Sequence, residues 1–148
     1  MPSIIPSYIY TLFASMIVGS LLIVIFSLST LNIKSEADNQ QLRTLAEYVA
    51  TKSCELVSTT TANRLAVNFT LNLPTLVGNQ RFWIQLRNDS SSAWVEIGYE
   101  TAPKPSEPQV QIPAKVSASG LYISGSGPAV LQCHMRDTET HLKLSGGF

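Results

Sequence analysis

Apolar positions obey three different rules along the chain, and each rule predicts a different element. Residues 9–31 are dominated by Ile, Leu, Val and Phe, and no charged side chain occurs anywhere in residues 1–33. A hydrocarbon core of about 30 Å needs about 20 helical residues, so residues 1–33 read as an uncharged N-terminus and a transmembrane helix. In residues 34–60 the spacing becomes three and four. Leu42, Leu45, Ala46, Val49, Ser53, Leu56 and Val57 form a stripe, while Glu36, Asp38, Arg43, Glu47 and Lys52 lie off it. This is an amphipathic stalk helix, whose stripe of Leu42, Leu45, Val49 and Leu56 must cover either its own domain or a partner. No glycine and no proline other than Pro74 lies between Ser20 and Gly78, so span and stalk read as one helix over residues 7–58. The hydroxyl and β-branched run Ser58, Thr59, Thr60, Thr61 is its expected end.

From Arg64 the period is two. Leu65, Val67, Phe69, Leu71 and Leu73 alternate with polar or small residues up to Pro74. Further strands are expected at 80–87, 93–100, 110–112, 121–124, 129–135 and 140–144, with a turn at 88–92 and an extended loop at 101–108, which holds three prolines. Seven short strands separated by turns in residues 61–148 predict an all-β antiparallel sandwich following the N-terminal helix. Residues 136–139 read as a hairpin turn that sets Met135 opposite Thr140, His134 opposite His141 and Cys133 opposite Leu142. Leu131, Cys133, Leu142 and Leu144 then face inward, and His134, His141, Gln132 and Lys143 face out. Residues 145–148 form an expected loose tail. Trp83 and Trp94 fall on the faces opposite their strands' aliphatic residues, so they are either exposed or covered by the stalk.

Composition changes the picture only in part. Ten basic and ten acidic residues give no net charge, so there is no electrostatic footprint for nucleic acid or anionic lipid. The apolar segment is too long, and its first ten residues too poor in Lys and Arg, for a cleavable signal, so a retained anchor is expected. Flanking charge leaves orientation open. Few cysteines, the glycosylation sequons at Asn68 and Asn88, and a Ser/Thr-rich body favour an extracytoplasmic C-terminal domain.

Cys54 on the stalk and Cys133 in a late strand are a disulfide candidate. A bridge across roughly 80 residues would stabilise by roughly 4–5 kcal/mol in the chain-entropy model; the alternative is two separate buried thiols. His134 and His141 supply two imidazoles without a third ligand, so no metal site is expected. No nucleophile elbow, zinc-protease helix, phosphate loop or dinucleotide fingerprint occurs, and residues 125–128 are a turn with no helix behind them. No catalytic residue and no cofactor are therefore assigned, and the chain is not read as an enzyme.

A long N-terminal helix, apolar in its first half and amphipathic in its second, leading into a small β domain resembles the type IV pilin superfamily. It is most similar to archaeal pilin-like proteins, including membrane-anchored archaellum stator subunits. The resemblance implies a pilin-like fold and a structural or interaction component of a cell-surface assembly, partnered by the bilayer and by like subunits or other assembly proteins. A filament-forming subunit and a membrane-anchored module for glycans or other ligands are the alternatives. Filament packing through the stripe requires it exposed in the monomer; a solitary module would bury it against its own sheet.

Overall fold

The computed structural model describes residues 4–99 and 109–146, with side chains from residue 8 onward. One helix, α1 (Ile4–Asn63), precedes seven strands: β1 (Val67–Leu71), β2 (Phe82–Asn88), β3 (Ala93–Tyr99), β4 (Gln109–Ile112), β5 (Ser117–Ile123), β6 (Ala129–Arg136) and β7 (Glu139–Gly146). The expected loop at 101–108 lies outside the described residues, as do Gly147 and Phe148. The chain divides into two compact units, Met1–Ala37 and Asp38–Phe148.

The first unit is the apolar half of α1. Pro6 sits in its first turn, where an N–H would have no intrahelical acceptor. Ile17, Leu21, Val24, Phe26 and Leu28 are all more than half exposed, so no protein core accounts for their hydrophobicity. Several hydroxyls along this stretch bond back to the helix's own carbonyls. Ser15 donates to the Leu12 carbonyl and Ser20 to that of Ile17, both at 2.8 Å, and Ser27 and Thr30 bond back to Ile23 and Phe26. Such back-bonding lets a hydroxyl lie on an apolar helix without an outside partner. The helix is long and apolar enough to cross a membrane.

In the second unit the stalk half of α1 becomes the lid of a sheet. Leu42, Ala46, Val49, Ala50, Leu56 and Val57 are buried in one cluster with Leu71, Ile84, Leu86, Val95, Leu131 and Leu144. Ser53 belongs to the same stripe and is fully buried because its hydroxyl donates to the Val49 carbonyl at 2.7 Å. The run at 58–61 does not end the helix. Ser58 and Thr59 bond back to the Glu55 carbonyl, Thr61 bonds back to that of Val57, and Thr60 is buried. Back-bonding neutralises the competition that hydroxyls otherwise offer a helix. The end comes at Arg64, left-handed at φ 53°, whose N–H closes the last turn on the Thr60 carbonyl at 2.8 Å.

The strands form one sheet in the order β1-β6-β7-β5-β2-β3-β4. A sandwich needs two facing sheets. Here the sheet's inner face is covered by the α1 stripe, so the architecture is a helix layered on a single sheet. Every pairing is antiparallel except β5 with β7, because the β6–β7 hairpin folds back and inserts β7 between β6 and β5. The expected register of that hairpin is the one formed: His134 opposite His141, Met135 opposite Thr140, Cys133 opposite Leu142 and Leu131 opposite Leu144. Ser145 and Gly146, expected in a loose tail, extend β7 and pair with Val130 and Ala129.

Gly120 is required where β5 meets β7. Its φ is 126°, and a Cβ there would run into the Leu144 carbonyl, since Gly120 and Leu144 are register partners in the parallel pair.

Candidate functional site

Two ends of the second unit can be told apart from α1. Asp38 lies against Gly78, on the β1–β2 connection, whereas Thr60 lies beside Cys133, near the β6–β7 turn. At the Thr60 end three chain segments converge on a polar cleft of about 400 Å³. The β2–β3 turn contributes Asn88, Asp89 and Ser90; the approach to β5 contributes Lys115 and Ser117; the β6–β7 turn contributes Thr138 and Glu139. Hydroxyls, one amide, two carboxylates and one ammonium are a hydrogen-bonding set for a polar ligand, and nothing among them forms a nucleophile with its base.

Asp89 fixes one wall of this cleft. Its Oδ1 accepts hydrogen bonds from the Ser91 N–H at 2.8 Å and the Ser92 N–H at 2.7 Å, and from both serine hydroxyls. Those donors, Ser91 first, lower its carboxyl to a pKa of about 2. The turn was legible as a run of Asp and Ser, but its association with the β6–β7 turn was not. These are joined only by the sheet order, in which β5 and β7 separate β2 from β6.

The sheet face turned away from the α1 stripe carries a second polar group that the alternation did not single out. Glu96 on β3 is only 5% exposed, although Val95 and Ile97 beside it face the core. Its Oε1 accepts from Trp94 Nε1 at 2.7 Å and from Gln109 Nε2 at 3.2 Å, while Arg87 Nη1 stands 3.5 Å from Oε2. Burial is tolerated because these donors satisfy the carboxylate. Trp83 shares this outer face, fully buried, with its Nε1 donating to the Tyr99 carbonyl at 3.2 Å. Trp94 is half-buried, so neither tryptophan is covered by the α1 stripe.

The cysteines do not form the clamp expected between helix and strand. Both are free, Cys54 half-buried and Cys133 buried. It is Thr60 that lies beside Cys133. Cys54 comes six residues earlier, one and two-thirds turns back along the helix, and so faces about 120° away from Thr60. Burial pushes the Cys133 thiol up, the Thr60 hydroxyl opposing this, so it is a core group rather than a nucleophile.

Within the helix stripe, Leu42, Val49 and Leu56 are buried against the chain's own sheet and Leu45 is half-buried beside them. Asn68 and Asn88 are exposed, Asn68 on the edge strand β1 and Asn88 at the mouth of the cleft. His134 is exposed and His141 half-buried on the outer face, their rings stacked with centroids 5.5 Å apart and planes 15° from parallel. Among the described residues no three His, Cys, Asp or Glu side chains gather as a metal-binding set. No protein-family model, curated protein or solved structure matches this chain.

Proposed function

We propose that the protein is a single-pass, membrane-anchored structural component of a cell-surface assembly, pilin-like or archaellum-like, with its β domain on the extracytoplasmic side. One observation carries this reading. The helix α1 is a charge-free, exposed span long and apolar enough to cross a bilayer in the first unit, and the buried lid of the β domain in the second. The exposed sequons Asn68 and Asn88 favour the outward orientation. Contact with like subunits or other assembly proteins would run through the span, because the stalk stripe is already used within the chain. That burial weighs against the filament alternative in its stripe-packing form.

Protease added to intact cells tests the orientation, and chemical cross-linking in the same cells tests the partnership. The expected result is a membrane fraction that resists alkaline extraction, a β domain digested from outside, and cross-links that require residues 9–31. A β domain shielded in intact cells, or recovery of the protein in the soluble fraction, would overturn the proposal. The ligand-module reading is favoured by one observation, the cleft between the β2–β3 and β6–β7 turns. It would be preferred if a panel of glycans showed saturable binding that Asp89→Ala or Lys115→Ala abolishes.

A further inference from the structure

We infer that His134 and His141 form a two-imidazole chelate for a divalent transition-metal ion of borderline softness, Cu²⁺ foremost, on the outer face of the β6–β7 hairpin. The two residues are register partners on adjacent antiparallel strands, so the backbone fixes their approach without help from a loop. Their ring centroids are 5.5 Å apart. With metal–nitrogen bonds of about 2.0 Å and ring centres roughly 1.1 Å behind the nitrogens, two imidazoles in cis positions of a tetragonal ion, about 90° apart, have centres about 4.4 Å apart. The rings must therefore close by about 1 Å from their observed spacing. The near-parallel rings must turn about their Cβ–Cγ bonds to aim both lone pairs at one point, a torsion with a broad, soft profile.

Solvent reaches the pair, since His134 is exposed and His141 half-buried, so water can complete the coordination. The site opens beside the cleft described above: Ser117, which lines it, is the register partner of His141 in β5, and Glu139 lies two residues from His141 on the same face. Arg136 opposite Glu139 flanks the pair on one side and Lys143 opposite Gln132 on the other, two cations to one carboxylate. That flank opposes a hard, carboxylate-seeking ion such as Ca²⁺ and leaves neutral imidazole as the ligand that selects the metal.

The test is titration of the full-length protein in detergent with copper(II) chloride, followed by calorimetry and electron paramagnetic resonance. One ion per chain is expected, with a spectrum showing two imidazole nitrogens. His134→Asn and His141→Asn should each weaken binding on the order of a hundredfold, the upper end of what even outer-sphere ligand partners contribute. Absence of saturable binding, a single-nitrogen spectrum, one ion per two chains, or affinity retained in the double variant would each overturn the chelate. The nitrogen count is read on the unaltered protein, so a poorly folding variant cannot shelter the proposal.

Discussion

The two halves of α1 are the same secondary structure under opposite solvent rules. In residues 9–31 the apolar side chains point in every direction and are exposed; in residues 38–63 only one stripe is apolar, and it is buried. An all-round apolar helix is stable where the surroundings are apolar, and a striped helix where one side meets a core. Polar groups follow the same division. In the apolar half, Ser15, Ser20, Ser27 and Thr30 bond back to their own helix. Stalk charges remain in water, where Arg43 with Glu47 and Lys52 with Glu55 make ion pairs one turn apart that are too exposed to matter much to stability. Helix formation is therefore common to both halves, and what stabilises each half is not.

The largest test sets one carboxylate in each half. Val49→Asp buries a charge in a position with no exposure and should cost more than ~4 kcal/mol, abolishing cooperative melting of the β domain. Ile17→Asp should leave that melting unchanged while adding about 3 kcal/mol to membrane insertion, read as loss of the protein from the membrane fraction. An equal loss of melting temperature in both variants would break the comparison.

Gly120→Ala comes next, at about 2–4 kcal/mol, because the new methyl group meets the Leu144 carbonyl and the backbone there is left-handed. Denaturant unfolding should show a lower midpoint at unchanged slope. Glu96→Ala should cost about 1–2 kcal/mol by orphaning the Trp94 and Gln109 donors, with a change in tryptophan emission. Glu96→Gln, which keeps an acceptor, should cost less. A smaller effect belongs to Asp89, whose folded pKa lies below its ordinary 3.8. Its carboxylate favours the folded turn fully above 3.8, and that preference is lost as the pH falls through about 2. Carbon-13 titration of the Asp89 carboxyl checks the value, and Asp89→Asn should flatten this part of the pH dependence.

The smallest expected effect is none. Reductant should not move the melting temperature, and a maleimide applied to the native protein should label Cys54 well before Cys133. Equal labelling would show that the core around Thr60 and Cys133 opens readily.

Much of the fold was legible because period and turn chemistry are local. The switch from a period of three and four to a period of two marks the end of α1, and the hairpin register follows from a short turn at Asp137 and Thr138 between two alternating strands. The helix end was misplaced by five residues because hydroxyls oppose a helix in isolation, yet can bond back to it when packing holds the turn. The cleft was hidden because its walls come from three turns far apart in the chain. Glu96 was hidden because alternation assigns it a face without saying that Trp94, Arg87 and Gln109 converge there.

By itself the sequence determined that the first half of α1 suits a membrane, that the second half carries a stripe, how many strands follow, and which side chains share a strand face. These depend on spacing along one chain and on the hydrophobicity of each segment. Only the tertiary structure decided what covers what: that a helix rather than a second sheet closes the inner face, that β7 enters between β6 and β5, and that Cys133 meets Thr60 instead of Cys54. Several non-local pairings are compatible with one pattern of alternation. The choice among them rests on the summed fit of all contacting faces, which no local spacing encodes.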